Sequence, residues 1–174
     1  MGIEIERKFR VANDGWRTRV VARKRIAQAY LTQGGVASIR IRIIDDSRAT
    51  LTIKGSRARL ARDEFEYDIP VADARQMMKL RTGLVVEKVR HEVMEGADLW
   101  EVDVFTGVHE GLMLAEIELA NETATFALPD WLGREVTGEQ EWYNSTLAQS
   151  AVPVRAAEPP RGICQPLPTL PARS

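Results

Sequence analysis

Charged and apolar residues alternate along nearly every predicted strand of this chain, and this pattern constrains the fold more than any other feature. In the stretch IEIERKFRV at 3–11, the even positions carry glutamate, lysine or arginine, and most odd positions are apolar. Because successive side chains of a strand point to opposite faces, one face of this strand is charged and the other is apolar. The pattern predicts a sheet with one charged face.

Eight strands are predicted, nearly all with this alternation, and short turns such as Glu95-Gly96-Ala97 make neighbouring strands antiparallel. The strands span residues 3–11, 24–32, 37–45, 49–55, 63–70, 84–94, 98–107 and 112–120. Helices are predicted at 14–25, with Asp14 as the N-cap, at 72–81 and at 138–150. We therefore predict one α+β domain, mainly β, over residues 1–150.

Composition and charge exclude several classes of protein. A length of 174 residues fits one medium domain, and Cys164, the only cysteine, cannot form an intrachain disulfide. A net charge of −1 argues against nucleic acid as a partner, so any anion site must be local. The sequence has neither a signal peptide nor an apolar run long enough to cross a bilayer. From this we expect a cytoplasmic protein without a membrane partner, either a monomer or a homodimer.

The charged faces carry their charges in doublets two residues apart, and the two signs are segregated between strands. The basic doublets are Arg40 with Arg42 and Lys88 with Arg90, and the acidic ones are Glu4 with Glu6, Glu64 with Glu66, Glu101 with Asp103, and Glu116 with Glu118. Like charges this close repel unless opposite charge lies between them. A sheet rolled into a barrel with its charges inward meets that need, since carboxylates would gather divalent cations and basic residues would gather phosphate. The alternative is an ordinary antiparallel sheet with one solvated face.

The motif EIERK at 4–8 resembles the ExExK signature of the triphosphate tunnel metalloenzymes, also called CYTH proteins. The segments ASIRIR, LTIKG, EFE, EKVR, WEVDVF and AEIEL follow in the order of that family. WLGREVTG and EWYNSTLA resemble the closing segments of its short bacterial members. The resemblance covers residues 2 to about 148. It implies an eight-stranded antiparallel β-barrel tunnel with a charged interior and helices packed outside.

The resemblance also implies an activity, the metal-dependent hydrolysis of a terminal phosphoanhydride with Mg²⁺ or Mn²⁺ as cofactor. Inorganic triphosphate is the leading substrate, with nucleoside and thiamine triphosphates as alternatives. Other enzymes consistent with the resemblance are a class IV adenylate cyclase and a thiamine triphosphatase. The alternative of another class is a non-catalytic module that binds polyphosphate or nucleotide in the same tunnel.

Matching motif positions assign roles to individual residues. The main metal carboxylates are expected to be Glu4, Glu6, Glu116 and Glu118, supported by Glu64, Glu66, Glu101 and Asp103. The phosphate-binding residues are expected to be Lys8, Arg10, Arg40, Arg42, Lys54, Lys88 and Arg90. The catalytic residues are expected to be Lys8, Glu4, Glu6 and Tyr30. Tyr30 shares its strand face with Gln28 and can reach the interior, although an aromatic side chain in a small barrel can equally serve packing.

The C-terminal residues 151–174 contain six prolines and no hydrophobic period, which predicts a disordered tail. Truncation after Ser150 is expected to leave the activity and the melting temperature unchanged, because the tail has no apolar face with which to pack. The measurement compares triphosphate hydrolysis and thermal melts of the full and truncated chains. A large loss of activity or of folding in the truncated chain contradicts the prediction.

Overall fold

The structure is a computed structural model that describes residues 5–33, 36–55, 64–121 and 123–150. Within these ranges the strands are β1 (Ile5–Val11), β2 (Val20–Thr32), β3 (Ala37–Ile44), β4 (Arg48–Gly55), β5 (Glu64–Ile69), β6 (Thr82–Glu95), β7 (Asp98–Thr106), β8 (Met113–Leu119) and β9 (Leu132–Glu135). The α-helices are α1 (Val71–Met77) and α2 (Asn144–Leu147), and 3₁₀ turns lie at Arg17–Arg19, Met78–Leu80, Gly107–His109 and Gln140–Trp142. In these ranges no helix is both long and apolar enough to cross a membrane.

All of the described strands join one antiparallel sheet in the order β5-β4-β3-β2-β6-β7-β8-β1-β9. The predicted mainly β, α+β architecture with antiparallel neighbours is confirmed. The sheet differs from the prediction in its strand number and in its closure. The closing segment adds a ninth strand, β9, and no ladder joins the edge strands β5 and β9 among the described residues.

The sheet curves strongly and encloses a groove open along one side, which we call the tunnel. The consecutive residues Tyr143 and Asn144 contact strands that lie three positions apart in the sheet, β1 and β6. The Tyr143 ring centre is 5.5 Å from Lys8 Nζ, and Asn144 Oδ1 accepts a hydrogen bond from Lys88 Nζ at 3.4 Å. A flat sheet would separate such strands by about 14 Å. The charged face is therefore the concave one.

Apolar residues on the convex face form the main core. Trp100 and Trp131 are almost fully buried there and pack edge to face at 5.5 Å, with Phe9 and Val102 in the same cluster. Trp16, in the turn before β2, is also fully buried against this face. Helix α1 covers β3 and β4 on the same side through Ala74. The predicted outward direction of the apolar residues, and the outer position of this helix, are confirmed.

The predicted helix at 14–25 is wrong, because its second half belongs to β2. Val20 lies opposite Val93 and Arg25 lies opposite Val89 in a ladder with β6, and only Arg17–Arg19 make a 3₁₀ turn. The 14 residues of β6 offer a pairing partner along this whole segment, and that ladder outweighs the local helical pattern. The helix predicted at 72–81 is confirmed as α1 and the 3₁₀ turn that follows it.

The end of the described chain packs inside one end of the tunnel, whereas the sequence predicted a helix on the outside. Leu147 and Ala148 are fully buried in a cluster with Val86, Phe105 and Leu114, which share strand faces with the interior charges. The Ala148 carbonyl accepts a hydrogen bond from the Leu84 amide at 2.6 Å. Gly83 makes this approach possible, since its φ is +80° and a Cβ there would overlap the Ala148 oxygen. An apolar segment therefore closes this end.

Candidate active site

A network of buried opposite charges crosses β6, β7, β8 and β1 in the middle of the tunnel. Arg90 donates to both carboxylate oxygens of Asp103 at 2.8 Å, and Lys88 donates to the same carboxylate. Arg90 Nη2 also donates to Glu116 at 2.9 Å, and Lys8 Nζ lies 2.8 Å from the other Glu116 oxygen. The register explains these pairs, because Arg90 lies opposite Asp103 and Lys8 lies opposite Glu116.

Burial and neighbouring charges compete to set the ionisation of this network. Burial alone would raise the pKa of Asp103, but Lys88 and Arg90 outweigh it and hold that pKa well below its usual range. Burial and Asp103 would raise the pKa of Glu116, yet the nearby cations lower it. Burial opposes the charge on Lys8, but Glu116 raises its pKa above the usual value. Complete burial lowers the pKa of Lys88 to about 8. The two central carboxylates are therefore ionised.

The wall formed by β2, β3 and β4 holds a cation that has no carboxylate partner in the part of the chain that the structure describes. Arg42 donates from Nε to Gln28 Oε1 at 3.1 Å, and no carboxylate in the described ranges forms an ion pair with it. Burial, together with Arg40 and Arg90, lowers the pKa of Arg42 to about 10. The Gln28 Nε2 amide is buried and has no hydrogen-bond acceptor among the described residues. This wall is therefore prepared to receive an anion.

Apart from Asp103, which is paired with Lys88 and Arg90 in the central network, the predicted metal carboxylates that the structure describes divide into two groups. Glu64 and Glu66 lie on the edge strand β5, where Lys54 Nζ is 2.7 Å from Glu64 and Arg40 is 3.4 Å from Glu66. Glu66 also accepts a hydrogen bond from the Thr52 hydroxyl at 2.8 Å. These two side chains are exposed at the edge of the sheet and lie apart from the central network.

The second group of carboxylates lines a cavity of about 470 Å³ at the end of the tunnel away from α2. The acidic residues that line it are Glu6, Asp98, Glu101, Glu116 and Glu118, and the register places Glu6 opposite Glu118 and Glu101 opposite Glu116. Their oxygens are the ligands that Mg²⁺ and Mn²⁺ prefer. No three of the described carboxylates converge tightly enough to hold an ion, and the predicted ligand Glu4 lies outside the described residues.

Sequence reasoning gave no binding or catalytic role to Trp142, Tyr143 and Asn144 at the closed end, although the segment EWYNSTLA was part of the family resemblance. The Trp142 ring lies 4.6 Å from the Arg10 guanidinium, and Tyr143 and Asn144 cover Lys8 and Lys88. Three consecutive residues thus each contact a different interior cation. Only the long-range packing of this segment places them there, so a local sequence pattern could not have identified them.

The expected site residues otherwise lie on the tunnel face. Tyr30 is buried in the apolar cluster at the closed end, and burial raises the pKa of its hydroxyl. The structure brings together Glu6, Lys8, Lys88, Arg90, Glu101, Asp103 and Glu116, and it places Arg10, Arg40 and Arg42 around them. It leaves Glu64 and Glu66 on the edge strand β5, and Lys54 of β4 pairs with Glu64 there.

The comparisons with known proteins identify the family. The model of the CYTH domain matches residues 2–149. The chain belongs to the CYTH domain family. An inorganic triphosphatase of Acetivibrio thermocellus is 40% identical over 151 residues, which cover 86% of this chain and 96% of that protein. An inorganic triphosphatase of Nitrosomonas europaea is 36% identical over 152 residues, which cover 84% of this chain and 97% of that protein. The resemblance drawn from the motifs is confirmed.

Solved structures place this CYTH chain in the same fold. The crystal structure of an inorganic triphosphatase superposes with a TM-score of 0.67 at 33% identity, covering 86% of this chain and 97% of that chain. A putative adenylyl cyclase from Hippeastrum, described as having a dominant triphosphatase activity, superposes with a TM-score of 0.52 at 13% identity. That match covers 68% of this chain and 80% of the other, and it supports the fold alone.

Proposed function

We propose that this CYTH protein hydrolyses inorganic triphosphate to pyrophosphate and phosphate within the tunnel, with Mg²⁺ or Mn²⁺. The observation that carries the proposal is Arg42, a half-buried guanidinium that lacks a carboxylate partner in the described ranges and stands near Arg40 and Arg90. An unpaired buried cation is costly, and a bound phosphate removes that cost through charge-assisted hydrogen bonds. Relatives matched over nearly their whole length are named inorganic triphosphatases.

The closed end limits how a substrate fits. Because the segment around Leu147 fills the end beside Lys88, a chain of phosphates can enter from the acidic end or the open side but cannot thread through. A terminal phosphate would then meet Lys8 and Arg10 near the closed end, with Arg42 on the facing wall. Phosphoryl transfer requires positioning and charge neutralisation far more than covalent chemistry from the protein.

The acidic residues of the cavity complete the mechanism. Glu6, Glu101, Glu116 and Glu118, with Glu4, would hold a divalent metal ion, which when bound neutralises phosphate charge and activates water. Lys8, fixed by Glu116, orients the terminal phosphate. Water attacks the terminal phosphorus, the bond to the bridging oxygen breaks, and pyrophosphate leaves. The basic wall stabilises the charge that develops on that leaving group.

The purified full-length protein is expected to release phosphate and pyrophosphate from inorganic triphosphate with Mg²⁺ or Mn²⁺, and EDTA is expected to abolish release. The assay compares inorganic triphosphate, thiamine triphosphate and ATP under identical conditions. Cyclic AMP as the main product would indicate the cyclase alternative. Tight triphosphate binding without phosphate release under either metal would favour the non-catalytic binding module.

A further inference from the structure

A buried arginine on the convex face of β1 has no place in the mechanism above. Arg7 is 5% exposed, although it shares the apolar face of its strand with Phe9. Its guanidinium carbon lies 6.0 Å from the Phe9 ring centre and 5.5 Å from that of Phe126. A cation in such surroundings is stable only when a carboxylate pairs with it.

The partner of Arg7 comes from the edge strand β9. Arg7 donates from Nε to Glu135 Oε1 at 2.5 Å and from Nη2 to Glu135 Oε2 at 2.6 Å, which is a bidentate pair. Burial would raise the pKa of Glu135, but these hydrogen bonds and one from Thr137 lower it. The carboxylate is therefore charged and fixed at neutral pH.

Thr137 extends this pair to the main chain of Lys8. Its hydroxyl donates to Glu135 Oε1 at 2.6 Å and accepts the Lys8 backbone N–H at 2.9 Å. The next link is the Val136 N–H, which donates to the Lys8 carbonyl at 2.8 Å. A continuous series of hydrogen bonds thus runs from Arg7 through Glu135 and Thr137 to the Lys8 N–H, and the neighbouring Val136 N–H holds the Lys8 carbonyl.

These hydrogen bonds compensate for the weak pairing between β9 and β1. Strand β9 has only four residues, and its register with β1 shifts between Phe9 and Val11, which starts one residue after Lys8. A shift of this kind leaves the backbone free to adjust unless another contact holds it. Lys8 projects from this point to Glu116 and to the Tyr143 ring. A change in its backbone angle would move Nζ within the tunnel.

We propose that Arg7, Glu135 and Thr137 are positioning residues, which fix the Lys8 backbone from the convex face so that Nζ meets the reacting phosphate. The inference rests on the proposed function, because it assigns to Lys8 a role in turnover. None of the three residues lines the acidic cavity. Their effect on the reaction must therefore pass through Lys8.

The test replaces Thr137 by valine, which removes the hydroxyl and keeps the branched shape, with Thr137→Ser as the matched control that keeps the hydroxyl. For Thr137→Val we expect kcat for inorganic triphosphate to fall about tenfold to hundredfold while KM changes less than about twofold. Thr137→Ser should restore kcat to near the wild-type value. A purely structural role predicts a lower melting temperature with kcat unchanged, and that result overturns the inference.

A double-mutant cycle with Lys8→Ala provides the second measurement. If Thr137 acts through Lys8, Thr137→Val should cause no further loss of kcat when Lys8 is already alanine. Equal losses in the presence and absence of the Lys8 side chain overturn the inference while leaving the proposed function intact. A wild-type protein that releases no phosphate from inorganic triphosphate is a different result, because it contradicts the proposed function and removes the basis of the inference with it.

Discussion

Replacing Arg42 by methionine is expected to weaken the binding of inorganic triphosphate about tenfold to hundredfold, which corresponds to about 1.5–3 kcal/mol for a hydrogen bond to a charged group. The melting temperature of the ligand-free protein should not fall. Burial already disfavours the charge of Arg42, and removing it breaks no ion pair among the described residues, only the hydrogen bond to Gln28. Calorimetry with inorganic triphosphate in EDTA, together with a thermal melt, measures both quantities.

Arg90→Met is the matched control. It removes a guanidinium from the same tunnel, but this guanidinium forms ion pairs with carboxylates. Its loss would leave Asp103 with Lys88 alone and Glu116 with Lys8 alone. Breaking a buried pair costs about 3–5 kcal/mol, and for a chain of this size that lowers the melting temperature by roughly 10 °C. If both variants melt alike, or if Arg42→Met binds triphosphate normally, Arg42 is not the anion site.

The charged tunnel face could be predicted from sequence because its signal is strictly local. A strand fixes which side chains share a face at every second residue, so Lys88, Asp103 and Glu116 could be assigned to one face without knowing which strands pair. The segregated doublets then indicated which face turns inward. The register of the paired strands then decides which of these side chains make contact, and it places Arg90 opposite Asp103.

The features that sequence reasoning missed depend on partners far along the chain. Val20 and Arg23 became part of β2 because β6 lies beside them, and β9 forms because β1 pairs with it. The segment with Trp142 occupies the tunnel end because apolar residues of several strands meet there. Arg7 offers a similar case, since an arginine on an apolar face signals a buried partner but does not identify Glu135.

Glu116 and Glu118 are equivalent in the sequence motif AEIEL, but their surroundings in the structure predict different effects when each is replaced by alanine. Glu116→Ala is expected to nearly abolish turnover and to lower stability by about 3 kcal/mol, because among the described carboxylates Lys8 would keep an ion pair only with Glu6, at 3.8 Å. From the sequence alone, the removal of one of several mutually repelling carboxylates would be expected to leave the stability of the protein unchanged. The structure opposes that view, since the pKa of Glu116 is lowered and its charge is therefore stabilised.

Glu118→Ala serves as the control, because this exposed carboxylate lines the acidic cavity but forms no ion pair with the described residues. Its loss should raise the Mg²⁺ or Mn²⁺ concentration needed for half-maximal activity while leaving the melting temperature within about 1 °C, as expected for an exposed position. Metal titrations of phosphate release and thermal melts of both variants make the comparison. Near-normal metal-dependent activity in Glu116→Ala would mean that the charged face is not the active site, since no other carboxylate joins Lys8 and Arg90 across β8 in the described ranges.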